Sequence, residues 1–167
     1  MSRGALKAVS PAKLNTISLE PLSVINFAGE TAFNAPRDIA IAADGSLFVA
    51  DSRNHRIVHL DAQGMFLNAF GGYGNVMDGD VPGGLMNEPW GVAVGPDGNV
   101  YVADTWNLRV VVFSPEGKYI SSFNVQGWGS SSVDNKPYLS VGPDNRIYLT
   151  DPEGYRVIVF SAAGEPL

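Results

Sequence analysis

The 167-residue chain contains no cysteine, which excludes a disulfide framework and thiolate metal sites. It has two histidines, His55 and His59. Two are too few for a three-histidine zinc site within one chain, and no Ser-His-Asp ordering stands out. Charge is sparse: 17% of residues are charged, and 17 acids outnumber 11 bases for a net charge of −6. A general binder of phosphate backbones works through Lys and Arg, so this balance argues against one. No run approaches the ~20 apolar residues of a membrane helix. The first 16 residues carry Arg3, Lys7 and Lys13 and no acid, without the apolar stretch of a secretion signal. Residues 1–19 read as a flexible leader or inter-domain linker.

What is present points to β structure. Hydrophobic residues make up 45% of the chain, mostly in short Val/Ile/Phe/Tyr runs, between 19 glycines and 11 prolines. Short alternating runs separated by turn residues are the pattern of strands with frequent reversals.

The runs repeat. Asn34-Ala35-Pro36-Arg37-Asp38-Ile39 opens one copy, Asn87-Glu88-Pro89-Trp90-Gly91-Val92 a second, and Asn135-Lys136-Pro137-Tyr138-Leu139 a third. Each leads to a turn at Asp44-Gly45, Asp97-Gly98 or Asp144-Asn145, residues that tolerate positive φ. A strand ending in Asp follows: Asp51, Asp104, Asp151. Five residues later Arg56, Arg109 or Arg156 begins the next strand. Phe66 to Phe70 and Tyr119 to Phe123 supply a fourth strand to the first two copies. Four antiparallel strands per unit, repeated, make a β-propeller blade, whose apolar faces are buried only by stacking on neighbours. The fold class is therefore all-β, with blades at about 34–70, 87–123 and 135–167.

The wording from Pro89 to Val94, from Asp97 to Asp104 and from Asn107 to Val110 closely resembles the NHL repeat. So does Ala50 to Ile57. The resemblance runs from Asn34 to Gly164, and Pro152-Glu153-Gly154-Tyr155 departs from it in the third copy. It implies a propeller of four-stranded blades, commonly six.

The third copy lacks a full fourth strand, while Ser23 to Gly29 forms a spare one before the first copy. Its lead-in, Glu20-Pro21-Leu22, matches Glu165-Pro166-Leu167. The spare strand is expected to complete a blade, with residues 20–167 forming the propeller segment. Three blades are too few to close a ring. Either two chains pair into a six-bladed homodimer or the remainder of a longer chain supplies the other blades.

Strand alternation places the loops after Asp51, Asp104 and Asp151 and the inter-blade segments on one face. Candidate ligand residues there are Arg53, Asn54, His55, Tyr73, Trp90, Trp106, Asn107 and Trp128. Aromatic rings beside polar groups can stack on sugars or peptide side chains. Trp90 and Tyr138 also read as packing against the neighbouring blade. The Asp51–Arg56, Asp104–Arg109 and Asp151–Arg156 pairs recur in each copy, which points to structure rather than catalysis. Asn75, Asp78 and Asp80 could offer oxygens to a cation, but a flexible surface loop accounts for them better.

These residues favour a binding module for a protein, peptide or carbohydrate over an enzyme. No catalytic residue, metal site or cofactor is singled out, and neither nucleic acid nor membrane insertion is expected. The resemblance also admits a metal-dependent lyase or hydrolase and an RNA-binding module. Wording near Val102 to Asn107 resembles extracytoplasmic parts of larger bacterial membrane-associated proteins, which leaves the compartment open.

Overall fold

The computed structural model describes residues 24–79, 81–128 and 137–167. The leader at 1–19, Ser23, Asp80, Asp134, Asn135 and Lys136 lie outside the described residues.

Among the described residues, thirteen strands follow in chain order. β1 (Phe27–Ala28) and β2 (Thr31–Ala32) form a small hairpin. β3 (Pro36–Ile41), β4 (Leu47–Asp51), β5 (Arg56–Leu60) and β6 (Phe66–Gly71) form the first four-stranded antiparallel sheet. β7 (Gly91–Val94), β8 (Val100–Asp104), β9 (Arg109–Phe113) and β10 (Tyr119–Asn124) form the second. β11 (Leu139–Val141), β12 (Ile147–Asp151) and β13 (Arg156–Phe160) form the third, which has three strands.

Local chemistry sets the turns. Asp44 Oδ1 accepts the Ser46 amide at 2.9 Å, Asp97 Oδ1 that of Asn99 at 3.1 Å, and Asp144 Oδ1 that of Arg146 at 3.2 Å. Such carboxylate-to-amide bonds close the reversals between the first and second strands of each blade.

The sheets stack face to face. β3 packs beside β7, and β7 beside β11, so the first strands of the blades gather around one axis. Phe48, Ala50 and Ile57 of the first sheet meet Val92, Val102 and Val111 of the second. The far side of the second sheet, with Tyr101, Val110 and Val112, meets Leu139, Ile147 and Leu149 of the third. Each buried Val, Leu, Ile or Phe among them contributes about 1.5–3 kcal/mol. The outer strands reach forward as well: Phe70 lies 4.9 Å from Phe113, and Phe123 lies 5.1 Å from Phe160, ring centre to ring centre.

The segment expected to complete a blade takes a different place within its own chain. Ile25 reaches the turn at Gly64 and lines a cavity with Phe33, Ile39 and Leu47. β13 carries on its outer edge a bridge from Phe160 to Pro166 and an amide bond from Leu167 to the Val159 carbonyl at 2.9 Å. The first and third sheets lie on opposite sides of the second, which keeps the segment away from β13 of the same chain.

Candidate functional site

The loop face is organised by the recurring aspartates. Asp51 accepts the Asn34 amide at 2.7 Å on one oxygen, and Asn54 Nδ2 and Arg56 Nε at 2.8 and 2.7 Å on the other. Asp104 repeats this with the Asn87 amide, Asn107 Nδ2 and Arg109 Nε, all at 2.8 Å. Both carboxylates are fully buried. A buried carboxylate holding three donors fastens the blade opening, the loop and the next strand together.

The loops between are single 3-10 turns, Ser52–Asn54 and Thr105–Asn107. Each ends in a left-handed residue, His55 at φ 55° and Leu108 at φ 53°. The third blade lacks the Asn. There the Gly154 amide bonds Asp151 at 3.1 Å, Arg156 Nε bonds it at 2.8 Å, and Tyr155 takes the left-handed place at φ 52°.

Several expected ligand residues are engaged by the fold itself. Asn107 is buried; it donates to the Gly74 carbonyl at 2.7 Å and accepts the Val76 amide at 2.9 Å. Gly74 and Val76 are thus anchored by Asn107. Asn54 donates to the Ala32 carbonyl at 3.0 Å. His55 Nδ1 accepts the Glu88 amide at 3.0 Å, and its ring meets Tyr73 edge-on at 4.9 Å. Trp128 is 5% exposed and packs in the core between the second and third sheets. Trp106 is half-buried, while Arg53 and Tyr73 are exposed.

One set of side chains does come together at the axis. Arg37, Trp90 and Tyr138 each follow the proline that opens a copy. They therefore occupy equivalent positions where the innermost strands begin. The Arg37 guanidinium carbon sits 4.2 Å above the Trp90 ring, and Trp90 meets Tyr138 edge-on at 6.4 Å. Trp90 is 6% exposed, whereas Arg37 and Tyr138 present surface to solvent. The result is an arc of a cation and two rings at the mouth of the axis. Arg37 escapes sequence reasoning because it is neither aromatic nor recurrent; its place after Pro36 is the signal that finds it. Beside the 71–80 segment lies a cleft of about 370 Å³, lined by Val76, Leu108, Val125 and Trp128.

Among the described residues, no group of three or more His, Cys, Asp or Glu could hold a metal ion. The histidines are spent elsewhere: His55 accepts a backbone amide, and His59 stacks on Phe48 at 4.1 Å. Burial holds the His59 imidazole below its ordinary range, against the pull of Asp44.

Comparison with known proteins agrees with this architecture. The NHL repeat model matches residues 33–60 and 86–113. The chain is 33% identical over 116 residues to the rat (Rattus norvegicus) peptidylglycine alpha-amidating monooxygenase, covering 65% of this chain and 11% of that protein. It is 36% identical over 92 residues to the Bos taurus NHL repeat-containing protein 2, covering 53% of this chain and 13% of that protein. It therefore spans little more than a tenth of these relatives. The streptogramin B lyase structure superposes with a TM-score of 0.58 at 19% identity, over 79% of this chain and 39% of the lyase chain. That likeness is one of fold. Residues 33–60 and 86–113 thus match the NHL repeat, and the fold is that of stacked β-propeller blades.

Proposed function

We propose that this chain is a binding scaffold that takes a protein, peptide or carbohydrate ligand on its loop face. The observation that carries the reading is the arc of Arg37, Trp90 and Tyr138 at the mouth of the axis. A guanidinium seated on an indole keeps its edge N–H groups available to a carboxylate or hydroxyl. The Tyr138 ring beside it offers a surface on which a planar side chain or a sugar face can stack. Arg53 and Tyr73 are exposed as well and offer further polar and aromatic surface.

An enzymatic reading draws on the relatives, since one is named an amidating monooxygenase and a structural neighbour a lyase. It finds less support in this chain, whose two histidines are held apart on other tasks. An RNA-binding reading would need a basic face, and the net charge of −6 works against it.

The test is a tryptophan-fluorescence titration with a panel of neutral oligosaccharides and of acidic and aromatic peptides. At least one class should saturate the signal. Arg37→Ala and Tyr138→Ala should weaken that binding while leaving the circular dichroism unchanged. Binding unaltered in both variants, or no binding across the panel, would remove the arc from consideration.

A further inference from the structure

Two sheet faces in this chain have no covering blade among the described residues. On the first blade, Ile39, Ile41, Leu47 and Val49 occupy the positions that Val92, Val94, Val100 and Val102 occupy on the second. On the second blade that set is packed into the interface with the first. On the first blade Ile41 is 71% exposed. The third blade shows the converse. Its Val157 pairs with Thr150 as Val110 pairs with Ala103, yet Val157 is 63% exposed where Val110 is 0%. Each open face is one half of an interface that the chain already builds twice.

The N-terminal segment supplies a second, independent observation. The turn glycines Gly117 and Gly164 each cradle an aromatic ring from the outer strand of the preceding blade, Phe70 and Phe123 respectively. Gly64 is the equivalent glycine of the first blade, and Ile25 occupies its cradle. A β-carbon at Gly64 would stand 2.6 Å from Ile25, as one at Gly164 would from Phe123. Sequence alignment agrees. Pro166 bridges Phe160 as Phe66 pairs with Leu60. Setting Glu20-Pro21-Leu22 upon Glu165-Pro166-Leu167 then puts Ile25 at the Phe70 position. Residues 24–26 therefore already sit where the outer strand of a preceding blade belongs, although no such blade is among the described residues.

The geometry points to a second copy of this chain as the occupant. The outward face of the third blade of one copy seats on the outward face of the first blade of the other. Val24, Ile25 and Asn26 of the second copy continue the outer edge of β13, opposite Ile158, Val157 and Arg156. This register follows from the pairing of Val58, Ile57 and Arg56 with Ala69, Phe70 and Gly71. With three blades in each 167-residue copy and about four to eight in a propeller, two copies make up a six-bladed ring. Both junctions are then identical, as two-fold symmetry demands.

The experiment uses the 167-residue chain as it stands. Light scattering after size exclusion should give the mass of two 17.8 kDa chains; the mass of one chain, or of an open series, overturns the proposal. Val157→Glu should shift the protein to the single-chain mass with its β-sheet circular dichroism retained, and an undisturbed dimer would refute the face assignment. Should that variant unfold, a cysteine test decides. Ile25→Cys and Val157→Cys proteins, mixed, partly unfolded, refolded together and oxidised, should yield a covalent dimer that forms from neither alone. Absence of that band in the mixture defeats the register.

Discussion

The Arg37 guanidinium carbon lies over the indole of Trp90, 4.2 Å from the ring centre. The pair joins the first blade to the second at the axis, and it separates two contributions that alanine substitution can measure. Arg37→Ala removes a solvent-facing cation–ring contact and should cost about 0.5–1 kcal/mol. Trp90→Ala empties a buried site and should cost about 3–5 kcal/mol. Urea denaturation resolves the two; equal losses would mean that the ring is held by something other than burial.

Asn107 and Asn54 occupy the same position in successive blades, yet they should not be equivalent. Asn107 is buried and serves Asp104, Gly74 and Val76 at once, whereas Asn54 serves Asp51 and Ala32 nearer the surface. Replacing Asn107 by Ala leaves buried groups unsatisfied, at roughly 1–3 kcal/mol for each. Thermal melts should show a larger loss for Asn107→Ala than for Asn54→Ala, together with increased protease sensitivity in the 71–80 segment for the former.

Tryptophan replacement should divide along burial. Trp128→Ala should destabilise by about 3–5 kcal/mol because the ring is in the core. Trp106→Ala, at a half-buried position, should cost less than half of that. A chevron or equilibrium urea series on the two single variants checks the ranking.

Acid should act through His59. Its ring is stacked on Phe48 and its Nε2 is buried without a hydrogen-bond partner, so the fold favours the neutral imidazole. Burial lowers its protonation range below the ordinary 6.5, with Asp44 and then Asn68 opposing the shift. The unfolded chain takes up the proton first as pH falls. The stability it contributes is thus complete above about pH 6.5 and is lost as pH falls from there through the lowered folded value. His59→Phe keeps the stack and removes the titration. Its melting temperature should fall less between pH 7.5 and 5.5 than that of the parent chain; identical slopes would place the acid sensitivity elsewhere.

Much of this fold is legible in the sequence because its determinants are local. Alternation along Val100 to Asp104 and the turn at Asp97-Gly98 specify strand and reversal within a few residues. The recurrence of Asp104 with Arg109 is visible without knowing what they touch. The site is less legible, because burial depends on neighbours distant in sequence. Trp128 and Trp106 look alike as letters, but only one meets the third sheet. Asn107 looks like a ligand-facing loop residue, yet the segment 31–33 residues before it consumes both ends of its amide. Ile25 gives no local sign of its seat on Gly64.

Among the described residues of a single copy, the middle blade alone is covered on both sides, and every residue of β8 and β9 is buried. That asymmetry gives the molecule a gradient of opening. Amide hydrogen exchange should be slowest along these two strands and fastest in the third sheet, whose β12 and β13 carry exposed residues and whose carboxylate lacks an asparagine partner. After a two-copy ring has separated, each copy is a row of blades that contact only their neighbours, and local unfolding starts at the outer blades and works inward. The second blade is then the last structure lost on denaturation and the natural nucleus on refolding.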